Sequence, residues 1–511
     1  MQQDCVSAAH LARDGKSRRW TAALRTRCFT IFLCLLAVIA ALRLIALAAN
    51  GTDLYMDEAQ YWAWSQDLSL GYFSKPPLVA WIIHGATAVC GDGEACIRLP
   101  ALLLHLVTAT LIYGIAVRLY DADVAILAGL GYALLPAVSL SSGIISTDVP
   151  LLAAWALALY AFVSLLSAPT LRDTTLLALA LGLGLNAKYA MAYFILCAAI
   201  YFLVAPERRT FLKQPHLWLA LAGGLALIVP NLLWNATNGF VTVAHTADNA
   251  NWSGIPFHPG KAAEFLLAQF GVFGPILFGA LLAIVWRAAR RPYDTAAPDK
   301  LLLAFSVPIL VLVTTQGLIS RAHANWAAPA YVAAIVLVTA AMMRDRAWSW
   351  LRASFAINLS IAVLIALATW QAGRFSLPGI GDPLARTLGN RELAAAVKDE
   401  LAAAVQRGQP IRSLLTDDRE FAAALSYYAR DIGVPMQAWR DGPVPRSHFE
   451  MTRPFTAAAP EPVLLVSPRA PAPTLTGRFE SVGPKIARAL PTGDHATRTV
   501  HFSLLAKYQE R

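Results

Sequence analysis

Two adjacent acids interrupt the aromatic-rich sequence LYMDEAQYWAW, just after the first long apolar run of the chain. They are Asp57 and Glu58. A lysine, Lys75, follows them in SKPPL, and a third acid, Asp148, lies in STDVPL. Carboxylates and ammonium groups are side chains that exchange protons and neutralise charged substrates. Such groups are costly near a bilayer unless they have partners or a function. These residues are therefore the first candidates for a functional site.

Each of these residues also has a purely structural interpretation. Acidic residues favour helix N-termini, so Asp57 and Glu58 would cap a helix that we expect from about Asp57 to Gln66. Asp148 would likewise be an N-cap before a proline. Lys75 would be a surface residue whose ammonium group reaches out to the lipid headgroups. The sequence leaves both interpretations open for each residue taken alone.

Further cations gather on the face of the membrane where the acids are expected. Two prolines hold the backbone before them extended and direct Lys75 away from a helix. Other cations are Arg98 in RLP, Lys188 in NAKYA and Arg321 in SRAHANW, which also contains His323. The opposite face shows no comparable mixture of acids, cations and aromatic residues. The combination favours a functional site at the outer membrane surface.

The composition places the chain in the membrane class. Of its 511 residues, 57% are hydrophobic and 14% are charged, and the mean hydropathy is +0.51. The net charge of +10 comes from short basic clusters between apolar runs, which favours lipid headgroups over nucleic acid as the partner. Apolar runs near the ~20 residues that cross a bilayer recur along the chain. We predict about eleven transmembrane helices, over residues 29–49, 100–119, 124–141, 149–166, 174–187, 189–204, 216–234, 263–286, 301–319, 326–343 and 353–370.

The basic loops predict the orientation of these helices. Cytoplasmic loops are enriched in Lys and Arg, and every loop on the N-terminal side is basic if the N-terminus lies in the cytoplasm. We therefore predict a cytoplasmic tail over residues 1–28, a transmembrane domain over 29–370 and an extracytoplasmic domain over 371–511. The last alternates helix-like with strand-like segments, as a small α/β domain does. The excess of Arg over Lys, with much Ala, favours a bacterium and hence its inner membrane, with the C-terminal domain in the periplasm.

The sequences MDEAQYWAW, GYFSKPPL, RLPALLL and STDVPLL, in that order, resemble the lipid-carrier-dependent membrane glycosyltransferases of the GT-C fold. The similarity is to the branch that contains protein O-mannosyltransferases and lipid A aminoarabinose transferases. Such enzymes take a sugar from a polyprenyl-phosphate carrier and transfer it with inversion at the anomeric carbon. The resemblance implies a polyprenyl-phosphate-linked sugar as the donor. It implies lipid A, lipopolysaccharide, another envelope glycan or a protein as the acceptor.

The resemblance also implies roles for individual residues. The catalytic residues would be carboxylates that orient the acceptor and take its proton, with Asp57 as the principal base: Asp57, Glu58 and Asp148. The residues that neutralise the donor phosphate as its bond to the sugar breaks would be cations: Lys75, Arg98, Lys188 and Arg321. The residues that contact the substrates would be outer aromatic side chains: Tyr61, Tyr72, Trp252 and His323. Trp252 lies in a long outer loop and has interfacial anchoring as its alternative role.

Two positions depart from the family pattern. Some aminoarabinose transferases carry an Arg shortly after the acidic pair and a Glu before the Lys-Pro-Pro, where this chain has Gln60 and Ser74. Without that Glu, a zinc site of the family type is disfavoured. Isolated histidines in outer loops are more often hydrogen-bonded than metal-bound. We predict no metal site or cofactor, with a bound divalent cation as the open alternative.

Two further inferences concern cysteines and the class of protein. Cys90 and Cys96 fall in an outer loop, in a compartment that is oxidising in bacteria, so we expect a disulfide between them. A polytopic transporter or lipid flippase would also have about eleven spans and is the alternative function. Its ionisable residues should lie in mid-membrane, near broken helices, rather than at one surface.

Overall fold

The computed structural model describes residues 15–250, 257–376, 379 and 381–510, with side chains throughout except at residues 15–25, 249 and 250. Within this part of the chain the α-helices are α1 Gly15–Ala48, α2 Met56–Ser65, α3 Leu78–Cys90, α4 Glu94–Leu119, α5 Ala122–Ala133, α6 Pro136–Ser141, α7 Asp148–Ser167, α8 Leu171–Ala187, α9 Tyr193–Val204, α10 Pro215–Thr237, α11 Val241–Ala250, α12 Pro259–Phe273, α13 Pro275–Arg290, α14 Ala297–Ala304, α15 Val307–Ile319, α16 Ala330–Arg344, α17 Trp348–Trp370, α18 Asn390–Gln406, α19 Arg419–Tyr428, α20 His448–Thr452 and α21 Pro473–Thr476. The strands are β1 Ser413–Thr416, β2 Met436–Ala438, β3 Val463–Ser467, β4 Phe479–Val482, β5 Ile486–Pro491 and β6 Thr497–Tyr508.

Six helical segments in the described residues are long and apolar enough to cross a bilayer: Thr26–Ala48 of α1, α4, α7, α10, the α14–α15 segment and α17. The helices α12 and α13 are long and apolar enough to cross a bilayer only when they are taken together as one bent span. By length and composition, the described residues then contain at most seven spans. Shorter apolar helices are α3, α5, α16 and the segment Tyr189–Val204. This architecture agrees with the predicted helical multi-pass fold. The count of eleven spans stays a prediction, and α3, with 13 residues, was not predicted because it falls short of a bilayer's thickness.

The sharp bend between α12 and α13 has a local cause. The two helices meet at 118° across Gly274, whose φ of +95° is a conformation that residues with a Cβ rarely adopt. A Cβ at this position would lie 2.6 Å from Oδ1 of Asn358. Pro275 then begins α13 at a position where a missing N–H costs nothing. The sequence Gly-Pro therefore breaks an apolar run that we predicted as one straight span.

The chain divides into two compact units, and the first contains the membrane-spanning helices. It comprises the described residues up to Leu47, together with Lys75–Val79 and Arg98–Ile365. Nearly every residue of α16 is buried, which marks it as a central helix. Aromatic rings of Phe162, Phe194 and Phe305 pack together beside it in the same core. The helices α8 and α10 approach closely at Gly182, where a Cβ would lie 2.5 Å from the Leu227 side chain. The missing side chain of this glycine permits the close approach.

The second unit comprises Ala48–Ser74, Ala80–Ile97 and the segment from Ala366 to the C-terminus, and it contains one mixed sheet. The strand order is β2-β1-β3-β6-β4, with β5 also paired to β6. The pairs β2–β1 and β1–β3 are parallel, whereas β6 runs antiparallel to its neighbours. Alternate residues point to opposite faces of the sheet, so Leu414 and Leu464 pack with α18 and α19, and Leu415 and Leu465 join a second core.

The predicted elements of the C-terminal segment have counterparts in this unit. The helix-like segments 391–406 and 419–429 correspond to α18 and α19, and the strand-like runs 411–415, 462–466 and 501–505 to β1, β3 and β6. The strands β2, β4 and β5 were not predicted. β4 and β5 are largely exposed and lack an apolar run, so their backbone pairing with β6 defines them.

Candidate active site

In the first unit, the structure brings together Asp148 and Lys188. Asp148 is the first residue of α7 and Lys188 follows the last residue of α8, so the helical hairpin places both at the same end. The Lys188 ammonium lies 2.6 Å from Oδ1 of Asp148, and the side chains are only 19% and 15% exposed. Asn325 donates a hydrogen bond of 2.7 Å to the other carboxylate oxygen. Asp148 is therefore not the N-cap residue of α7, because Thr147 holds that position.

The loop after α15 adds two predicted residues to this region. Partial burial and the positive charges of Arg321 and Lys188 lower the pKa of His323 below its usual value. The imidazole is therefore neutral at pH 7 and can donate or accept a hydrogen bond there. Its ring packs edge-on against Trp326, with 5.1 Å between ring centroids. Asp148, Lys188, Arg321 and His323 thus lie in one neighbourhood of the first unit.

The other two predicted cations of this unit differ in exposure. Arg98, near the start of α4, is 1% exposed, so its guanidinium is enclosed by protein. Lys75 is partly exposed and lies at the start of the short segment Lys75–Val79. The predicted contact of Trp252 with a sugar lies outside the described residues.

In the second unit, the capping interpretation describes Glu58 but not Asp57. The Glu58 carboxylate accepts a hydrogen bond of 2.9 Å from the backbone N–H of Tyr55, at the start of α2, and Glu58 is 1% exposed. This is the return contact of a capping box. Glu58 therefore stabilises the beginning of α2 and is not open to a substrate in this structure.

Asp57 points instead to a residue that the sequence did not single out. Its carboxylate, 37% exposed, forms an ion pair with Arg419, the first residue of α19. The same guanidinium donates a 2.9 Å hydrogen bond to the side chain of Gln60, one turn further along α2. A guanidinium from α19 therefore contacts both Asp57 and Gln60 on α2. No local pattern relates Arg419 to Asp57, because 362 residues separate them.

The predicted substrate contacts Tyr61 and Tyr72 are buried, at 3% and 2% exposed. The Tyr72 ring stacks on Trp64 with 4.6 Å between centroids, and the Tyr72 hydroxyl donates a hydrogen bond to the Trp64 carbonyl. His448 packs edge-on against Trp64, and burial, with the charges of Arg453 and Arg419 nearby, lowers the pKa of His448 to about 3. In this structure both tyrosines support α2 from within rather than face an opening.

A disulfide joins Cys90 and Cys96, the two cysteines that we expected to pair, with 5.9 Å between their Cα atoms. Within the loop that it closes, the Asp92 carboxylate accepts a 2.7 Å hydrogen bond from the indole of Trp62 on α2. Tyr427 on α19 donates a 2.6 Å hydrogen bond to the Asp92 carbonyl. The closed loop therefore connects the helix that carries Asp57 with the helix that carries Arg419.

In the part of the chain that the structure describes, no three His, Cys, Asp or Glu side chains are grouped as metal ligands would be. The chemistry available from the described residues is that of carboxylates, cations and hydrogen-bonding side chains. These groups suit proton transfer and the stabilisation of a negatively charged leaving group.

Comparisons with known proteins identify the family. Residues 74–234 match the family described as dolichyl-phosphate-mannose-protein mannosyltransferase. The lipid A galacturonosyltransferase RgtD of Rhizobium johnstonii is 36% identical over 410 residues, which cover 80% of this chain and 84% of that protein. RgtA of the same organism, a lipopolysaccharide core galacturonosyltransferase, is 27% identical over 278 residues, covering 52% of this chain and 55% of RgtA.

A solved structure has the same fold. ArnT from Cupriavidus metallidurans, crystallised with undecaprenyl phosphate, superposes with a TM-score of 0.65 at 17% identity, over 94% of this chain and 99% of ArnT. The predicted fold class and the predicted enzyme class are confirmed, and the transporter alternative is set aside. The chain belongs to the GT-C family of membrane glycosyltransferases that includes RgtD.

Proposed function

We propose that this enzyme transfers a sugar from a polyprenyl-phosphate carrier to lipid A or to the lipopolysaccharide core, with inversion at the anomeric carbon. The observation that carries the proposal is the 36% identity to the lipid A galacturonosyltransferase RgtD over most of both chains. The same relative makes a galacturonic acid residue the first sugar to test. The fold of ArnT, which was crystallised with undecaprenyl phosphate, supports a polyprenyl-phosphate carrier.

We propose Asp57 as the carboxylate that orients the acceptor hydroxyl and takes its proton. Its carboxylate forms an ion pair with the Arg419 guanidinium, which holds it in position on α2. With 37% of its side chain exposed, Asp57 is open to an incoming group. Glu58 holds the start of α2, and Gln60 fixes the guanidinium that pairs with Asp57.

The leaving group of the proposed reaction is a phosphate, which departs with its own negative charge and needs cations rather than a strong acid. Lys188 and Arg321 would supply that charge from the first unit, together with Lys75 and Arg98. Asp148 holds the Lys188 ammonium in place at 2.6 Å, and His323 lies in the same neighbourhood as a neutral hydrogen-bonding group. Trp252 stays a candidate for stacking on a sugar.

The enzyme is a multi-pass membrane protein, and we propose that it lies in a bacterial inner membrane with its N-terminus in the cytoplasm. The basic clusters in alternate loops support this orientation. The disulfide between Cys90 and Cys96 suits the periplasm, where disulfides persist. In this arrangement the cytoplasmic tail is 1–28, the transmembrane domain 29–370 and the periplasmic domain 371–511.

The test is sugar transfer by the purified enzyme in detergent, with polyprenyl-phosphate-linked galacturonic acid as donor and lipid A as acceptor. We expect Asp57→Asn to lower kcat by about 100-fold or more, because it removes the base but keeps the size of the side chain. The matched control is Asp399→Asn, at an exposed carboxylate of α18. Equal activity of both variants and the wild type would remove Asp57 from the mechanism. Absence of transfer by the wild type, with lipid A and lipopolysaccharide core both offered, would overturn the proposed substrates.

A further inference from the structure

A cavity of about 290 Å³ lies within the second unit. Trp62 and Ala63 of α2 line it, together with Gln66, the residue that follows this helix. The remaining wall comes from β1, from α19 and the residues after it, and from β2. Its polar members are Ser426 and two arginines, and its apolar members are Leu414, Leu425, Ala429, Ile432, Val434, Pro435 and Met436. This volume is at the lower end of the range for small-molecule sites, so it suits one headgroup or one sugar rather than a whole lipid.

The charged residues that line this cavity are both arginines, Arg430 and Arg453. The Arg430 guanidinium lies over two aromatic rings, 4.5 Å from the centroid of Tyr427 and 5.7 Å from that of Trp62. It also donates a 2.6 Å hydrogen bond to the Tyr427 carbonyl, so it is held in one orientation. Among the described residues, neither arginine forms an ion pair with a carboxylate. Both charges are therefore available to a ligand.

We propose that this cavity binds an anionic group of the acceptor glycolipid, either a phosphate or the carboxylate of an acidic sugar. Arginine is the side chain best suited to such groups, because its planar guanidinium donates two parallel hydrogen bonds to them. The inference rests on the proposed function, since it names how the acceptor of that reaction is recognised.

The position of the cavity along α2 relates it to Asp57. Trp62, Ala63 and the C-cap residue Gln66 follow Asp57 by one and a half to two and a half turns, which is about 8–14 Å along a helix. An anionic group bound there would be about one or two sugar units away from a hydroxyl at Asp57. The cavity would then hold the acceptor in register without taking part in bond breaking.

The experiment measures transfer and binding separately, with Arg430→Gln and Arg453→Gln as the test variants. The control is Arg412→Gln, at an exposed arginine of the same unit that does not line the cavity. Three acceptors are compared: phosphorylated lipid A, the same lipid A after phosphatase treatment, and dephosphorylated lipid A that carries an acidic core sugar. Equilibrium binding of each acceptor to the enzyme in nanodiscs, without donor, is the readout that does not require transfer.

We expect each cavity variant to weaken binding and raise the acceptor KM by about tenfold, or ~1.4 kcal/mol, with kcat and the donor KM changed less than about twofold. The effect should appear with whichever anionic acceptor is the ligand and disappear with the neutral one. An equal loss for neutral and anionic acceptors, or the same loss in Arg412→Gln, would overturn the proposed site. If the wild type bound the anionic acceptor through these arginines but transferred no sugar to it, the site would stand and the proposed reaction would fail.

Discussion

The ion pair between Asp148 and Lys188 allows the sharpest test of the first unit. Removing the ammonium by Lys188→Met leaves a carboxylate that is 15% exposed, with Asn325 as the donor that remains. Breaking a buried pair costs about 3–5 kcal/mol, whereas an exposed pair contributes about 0–1 kcal/mol. At 15% and 19% exposure this pair is nearer the buried limit, so after a discount for solvent we expect a loss of about 2–3 kcal/mol.

The same unit supplies a matched control. Arg287 and Asp345 are 2.5 Å apart, but their side chains are 55% and 40% exposed. We expect Arg287→Met to cost less than about 1 kcal/mol. In the double variant Asp148→Asn with Lys188→Met, no unpaired charge remains, so its loss should be smaller than the sum of the two single losses.

The assay is thermal unfolding of the purified protein in one detergent, followed by tryptophan fluorescence. The assay compares five proteins at pH 7: the wild type, Lys188→Met, Arg287→Met, Asp148→Asn and the double variant. Additive losses in the double variant, or an equal shift for Lys188→Met and Arg287→Met, would refute the argument that burial makes the first pair strong.

Three other outcomes follow from the structure. Burial lowers the pKa of His448 from 6.5 to about 3, so the neutral imidazole contributes its full stability above about pH 6.5, and this contribution is lost as the pH falls. We expect the free energy of unfolding to fall by about 1–2 kcal/mol at pH 5. A pH series of melting curves should show this loss in the wild type but not in His448→Phe. Gly274→Ala should destabilise the protein by about 1–3 kcal/mol, because of its φ of +95° and the nearby Asn358, whereas Gly271→Ala, which has open space, should not; equal melting temperatures would contradict this. Opening the disulfide by Cys90→Ser should cost about 2 kcal/mol from loop closure, and a melting temperature that does not respond to reductant in the wild type would show that the bond contributes nothing.

Some features of this protein could be read from local sequence because they depend on neighbouring residues. Apolar runs predicted the helical membrane fold, since a span must bury ~20 residues in lipid whatever surrounds it. The acidic pair after the first run predicted α2, and a capping box at Glu58 is a relation between residues three apart. The ordered motifs from Asp57 to Asp148 indicated the family that the comparison with RgtD then established.

Other features were decided only when distant segments met. The partner of Asp57, the acid that does not cap α2, depends on α19, because Arg419 reaches Asp57 across 362 residues. The partner of Asp148 depends on the packing of α7 against α8, which brings Lys188, predicted as a cation for the donor phosphate, into an ion pair with it.

Shape was decided partly by local sequence and partly by distant segments. The bend of 118° in the apolar run predicted as residues 263–286 has a local cause at Gly274, and the prediction missed it because it followed the apolar pattern alone. The exposed strands β4 and β5 exist through hydrogen bonds to β6 rather than through an apolar pattern of their own. Sequence alone therefore determined the helical membrane fold and the class of reaction. Tertiary structure decided which of the charged residues are paired, buried or open, because charge and hydrogen-bond partners are chosen by distance in space and not along the chain.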